Sequence, residues 1–150
     1  MPRNPKLKPK IIVAVVVTAN VPTETGLIYN EECIDEIVRL FNSKKLTDSL
    51  LGWIARSHYS HSEWLEITSD KSKASHIVKT MYTRQENGKN KQLIAEIQPL
   101  GTKDGELLTS AIENKKALSL GLRCLGHFVD KGTTVVSKDG IQLLGLDVLD

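Results

Sequence analysis

Apolar positions along the chain come in short blocks separated by polar, glycine- or proline-bearing stretches. Residues 11–18 form a continuous β-branched run, Ile11-Ile12-Val13-Ala14-Val15-Val16-Val17-Thr18, which predicts a strand buried on both faces. Turn chemistry fills 19–26. Asn30 then stands as an N-cap ahead of Glu31 and Glu32, where the helix dipole favours carboxylates. Ile34, Ile37, Val38 and Phe41 follow at helical spacing, predicting an amphipathic helix that ends near Ser43. Residues 50–57 read as a second strand, and 58–73 as a long polar loop holding Trp64. Two alternating runs, 75–83 and 91–97, flank Asn87-Gly88, the strongest short signal for a hairpin. After a loop at 101–105, Leu107, Leu108, Ala111 and Ile112 predict a second short helix ending at 114–116. A strand over 117–123, a turn at Lys131-Gly132, a strand over 133–137, a turn at 138–140 and a strand over 141–149 complete the chain. Many short strands with two separated helices predict an α+β fold, a mostly antiparallel barrel-like core with flanking helices, and not a doubly wound sheet.

The strand over 117–123 carries the most suggestive chemistry. Alternation puts Ala117, Ser119 and Gly121 on one face and Leu118, Leu120 and Leu122 on the other. The leucines would anchor the strand, leaving a hydroxyl among small residues, as a nucleophile facing a carbonyl needs. The plainer alternative is a strand serine hydrogen-bonded to a neighbour. His58 and His61 form an H-x-x-H pair that Asp70 or His76 could complete as a metal site. No HExxH helix or cysteine pair accompanies them, so no metal is expected. His76 reads as a satisfied structural histidine and His127 as an exposed one beside a turn. Trp64 is expected to pin its loop to the core, and Arg123 to form a surface ion pair. Asp147 and Asp150 read as strand-end carboxylates.

Composition narrows the function classes. At 150 residues, with 40% hydrophobic and 25% charged positions, the chain is long enough to bury a core and resembles neither a disordered nor a membrane protein. The apolar run at 11–17 is far shorter than the ~20 residues of a membrane span. Net charge is only +2, and much of that excess sits in 1–10, where three prolines and four basic residues predict an extended, mobile tail ahead of one domain over 11–150. Without interleaved aromatics the tail makes a poor nucleic-acid site. Cys33 and Cys124, with no CxxC spacing, make no disulfide framework and suit a reducing interior.

Several blocks, taken in order, resemble the head-maturation (prohead) proteases of tailed phages, serine proteases that share a fold with the herpesvirus assembly proteases. Thr18-Ala19-Asn20-Val21-Pro22-Thr23-Glu24-Thr25-Gly26-Leu27-Ile28-Tyr29 is similar to the family's opening, and Ala74-Ser75-His76-Ile77-Val78 to the strand after its catalytic-histidine loop. Pro99-Leu100-Gly101 matches the stretch leading into the second helix. Ala117-Leu118-Ser119-Leu120-Gly121 looks like the nucleophile strand, and Leu143-Leu144-Gly145-Leu146-Asp147-Val148 like the strand bearing the third group. The resemblance implies Ser119 as nucleophile, His58 or His61 as general base, and Asp147 as the carboxylate that orients the imidazole. Strand parity from Gly52 favours His58, the distance to Ser75-His76 favours His61, and neither is followed by the family's usual proline. It further implies an endopeptidase acting without a cofactor on phage scaffold, core and capsid proteins inside the assembling prohead, in the host cytoplasm. A homo-oligomer stays open. Cleavage before which an acidic residue stands would fit Ile94-Ala95-Glu96 and Trp64-Leu65-Glu66, and the end at Asp150 suggests a truncated or self-processed core. The alternative on the same fold is a capsid- or scaffold-binding module that performs no chemistry.

Overall fold

The computed structural model describes residues 11–45, 49–56, 58–130 and 132–149; the expected tail, Lys131 of the expected turn and Asp150 lie outside these. Two antiparallel-dominated sheets curl around one helix. Strand β1 (Ile12–Thr18) leads through β2 (Ile28–Tyr29) into helix α1 (Glu31–Lys45), capped as its sequence predicts by the Asn30 side chain, which accepts from the Cys33 amide at 2.8 Å. The buried stripe of α1, Cys33, Ile34, Ile37 and Phe41, packs on strands from both sheets and centres the core. The stretch expected as one strand over 50–57, of which Ser57 lies outside the described residues, holds two short ones, β3 (Leu51–Gly52) and β4 (Ile54–Ala55). Between them, at Trp53, the chain leaves one sheet for the other: β3 pairs with β5 (His76–Arg84) and β4 with β9 (Gln142–Leu149).

The predicted hairpin forms, joining β5 to β6 (Gln92–Pro99) around Gly88 at φ 76°. With β1 and β3 these give a sheet of order β1-β6-β5-β3. After helix α3 (Lys103–Glu113), strand β7 (Ser119–Leu125) pairs antiparallel with β9, giving β4-β9-β7. A parallel two-stranded pair joins β2 to β8 (Val135–Val136), all that forms of the strand expected over 133–137. Where β1 approaches β7 and β3 approaches β9, the sheets close into a half-barrel. The fold class is the expected α+β.

Two expectations need correction. The polar stretch 58–73 is not a loop: it holds helix α2 (His61–Ser69) and a single 3-10 turn over Lys71–Lys73. Helix α2 buries no residue, so it has no apolar stripe to betray it. Its signal is the capping box, in which Ser60 accepts from the Glu63 amide and the Glu63 carboxylate reaches back to the Ser60 amide. Trp64 therefore sits on a helix. Strand β1 is also not buried on both faces, because it ends its sheet and leaves Val13 and Val15 exposed. The two stretches that fitted self-cleavage both lie in regular structure, Ile94-Ala95-Glu96 in β6 and Trp64-Leu65-Glu66 in α2.

Candidate functional site

A groove of about 380 Å³ opens where β1 and β7 flank each other, each the outermost strand of its sheet. Alternation in β7 works as its sequence predicts. Leu118, Leu120 and Leu122 pack on the core, while Ser119 is half-buried beside the groove. The Ser119 hydroxyl donates to Glu24 Oε1 at 2.6 Å. Glu24 rides on the loop 19–27, which its own bonds fold tightly: the Thr23 amide donates to the Leu27 carbonyl at 2.8 Å and the Gly26 amide to the Thr23 carbonyl at 2.9 Å. The positive φ of 85° at Gly26 is what that return requires. No cation pairs with Glu24 among the described residues.

Asp147 lines the same groove but is 5% exposed, and both its oxygens accept hydrogen bonds. Arg123 donates from Nε to Oδ2 at 3.0 Å and from Nη2 to Oδ1 at 3.2 Å, and the Trp53 amide donates to Oδ1 at 3.1 Å. The guanidinium also lies 4.9 Å from the centroid of the Trp53 ring. Arg123 is thus in an ion pair, but one anchored on a buried carboxylate and not on the surface. Across the β7–β9 ladder Asp147 faces Gly121, and Ser119 faces Leu149.

The histidines divide sharply. His76 is fully buried, its Nε2–H donating to the Leu146 carbonyl at 2.6 Å and its Nδ1 accepting from the Ser75 hydroxyl at 2.7 Å. The carbonyl can only accept, which fixes this tautomer. Burial holds the imidazole below its ordinary pKa. It is the structural histidine its alternation suggested. His127 is exposed, as expected. His58 and His61 are both exposed, and neither imidazole makes a hydrogen bond or ion pair among the described residues. His58 lies with its ring centroid 4.8 Å from that of Tyr59. His61 opens α2 and lines a second groove with Tyr59 and Trp64, one that adjoins the first at Glu24, Thr25 and Leu149.

Ser119 and Asp147 thus share one groove, with His61 on the groove beside it and His58 on neither. No hydrogen bond joins Ser119, an imidazole and Asp147. Among the described residues no three His, Cys, Asp or Glu side chains converge as a metal ion would require. Sequence reasoning missed Glu24 as the partner of Ser119, since the two are 95 positions apart and nothing local links them. It also missed that Arg123 and the Trp53 amide hold Asp147.

No protein-family model matches the chain, and no curated protein matches it. The structure is similar to that of the bacteriophage T4 capsid assembly protease, gp21, with a TM-score of 0.68 over 93% of this chain and 81% of that one, at 18% sequence identity. At that identity the likeness is one of fold.

Proposed function

We propose that this chain is a polypeptide-binding component of phage head assembly, built on the fold of a capsid assembly protease and acting by holding an extended segment without cutting it. One observation carries the reading: the serine hydroxyl is bonded to the Glu24 carboxylate, while both oxygens of Asp147 are engaged by Arg123 and the Trp53 amide. A serine nucleophile needs a base that takes its proton as the carbonyl is attacked and returns it to the leaving amine. A carboxylate fulfils its part in such a triad by holding the far imidazole nitrogen. Here the hydroxyl is held by Glu24 and the carboxylate by Arg123 and the Trp53 amide, and the exposed imidazoles of His58 and His61 bond to neither. The groove between the end strands β1 and β7 suits an extended peptide, whose backbone can pair with an open strand edge. By this reading the partners are phage scaffold, core and capsid proteins, and the place of action is the assembling prohead.

The second reading is a serine endopeptidase of head maturation, favoured by Ser119 and Asp147 facing one groove. Ser119 would be the nucleophile, His61 (or His58) the base, and Asp147 the orienting carboxylate. It requires an imidazole to displace Glu24 from the hydroxyl and to reach Asp147, whose Oδ2 accepts one bond, from Arg123. A serine-directed fluorophosphonate separates the two. We expect no labelling of Ser119 in the folded protein, and equal capture of scaffold-derived peptides by the native chain and Ser119→Ala. Labelling at Ser119, with peptide cleavage that Ser119→Ala abolishes, would overturn the binding reading in favour of the peptidase.

A further inference from the structure

Glu24 holds an unusual electrostatic position. Among the described residues no lysine or arginine lines the groove between β1 and β7, whose lining is mostly apolar residues such as Val15, Val21, Leu27 and Leu149. Of its two carboxylates, Asp147 is neutralised by Arg123. Among the described residues Glu24 is bound only through Oε1, by a neutral hydroxyl. The adjoining groove offers one arginine, Arg56, whose guanidinium is committed to Asp104 at 3.4 Å. Glu24 lines both grooves, so a segment running from one to the other passes it.

We propose that Glu24 selects the charge of the bound polypeptide, taking a lysine or arginine at the position beside Ser119 and turning away an acidic residue there. This rests on the peptide-binding reading of the groove. A cation entering from the ligand meets a carboxylate that already points across the groove and has no cationic partner to displace. Among the described residues the neutral hydroxyl of Ser119 is the group it must replace. An acidic residue would meet uncompensated like charge beside apolar walls, where the field is less screened than in open water. Because Glu24 is exposed, the effect is modest and falls as salt is added.

Two fluorescent octapeptides of alternating valine and threonine, differing only in a central Lys or Glu, serve as probes in anisotropy titrations. The native chain should bind the Lys peptide about five-fold more tightly than the Glu peptide at low salt. Glu24→Gln, an exposed substitution whose folding is checked by thermal melting, should bring that ratio close to one while still binding both. Ser119→Ala should keep the preference. Equal affinities in the native chain, or a preference that survives Glu24→Gln, would overturn the proposal and leave the groove intact. If Glu24→Gln strengthens both peptides by the same factor, Glu24 is a latch and not a selector, and the proposal fails. If neither peptide binds, the groove reading itself falls and takes this inference with it.

Discussion

Gly121 stands directly across the β7–β9 ladder from Asp147, so the buried carboxylate faces a position with no side chain and closes on Arg123, two residues along. The Asp147 side chain is 7% exposed and that of Arg123 25%, so the two ends of the pair are solvated very differently. Arg123→Ala would leave a buried carboxylate with the Trp53 amide alone. It should cost about 2–4 kcal/mol, slightly below a fully buried pair because the guanidinium is partly wet. Asp147→Asn keeps an acceptor for that amide and should cost less, about 1–2 kcal/mol. Urea unfolding of both variants checks the order. If Asp147→Asn is the worse of the two, the carboxylate is not where the cost lies.

His76 predicts an acid-side loss of stability. Burial first, opposed by the bond to the Leu146 carbonyl, holds its pKa below the ordinary 6.5. As pH falls through that value the unfolded chain takes a proton that the folded chain resists. The contribution is therefore whole above about 6.5 and declines below it, by at most ~1.4 kcal/mol per pH unit. Denaturant midpoints between about pH 7.5 and 5.5 should fall in the native chain and fall less in His76→Gln. That variant should itself lose about 2–4 kcal/mol through cavity and broken hydrogen bonds. Equal slopes would exclude His76 as the source.

The two thiols predict the alkaline side. Burial pushes Cys33 up to about 11 and Cys124 up to about 12 from an ordinary 9.0. The unfolded thiols ionise first, so stability is complete below about 9 and is lost as pH rises towards these values. Since only the thiolate reacts, both cysteines should alkylate with iodoacetamide at least ~10-fold more slowly in the folded chain than in urea. A fast-reacting thiol in the native state would contradict the packing around it.

Gly52 is required by packing. A Cβ there would collide with the Leu146 carbonyl oxygen and the His76 imidazole, both of which are bonded to one another. Gly52→Ala should cost about 2–3 kcal/mol, as an overpacked site does. In a thermal melt a change under ~0.5 kcal/mol would show that the β3–β9 contact can open without penalty.

Much of the architecture was legible because its signals are local. The Asn30 cap, the Ile34/Ile37/Phe41 stripe and the Asn87-Gly88 turn each lie within a few residues of the structure they specify, and each formed. Alternation placed Ser119 opposite the core-facing leucines. Where the pattern misled, packing had been substituted for it. Helix α2 stands on its cap without burying a face, and the strand expected over 50–57 divides at Trp53, where the chain passes from one sheet to the other and the Trp53 amide meets Asp147. The exposed valines of β1 look like a buried run because their burial depends on the strand's rank in the sheet.

The chain's own order determined the elements whose signals are local, the cap and stripe of α1 and the β5–β6 hairpin among them, since hydrophobic period and capping act over one or two turns. What the candidate site contains was decided by tertiary structure. The partners Ser119 and Glu24 are 95 positions apart, and Trp53 and Asp147 94. Such pairs exist only once two sheets have curled together, and no local preference encodes which donor a carboxylate then meets.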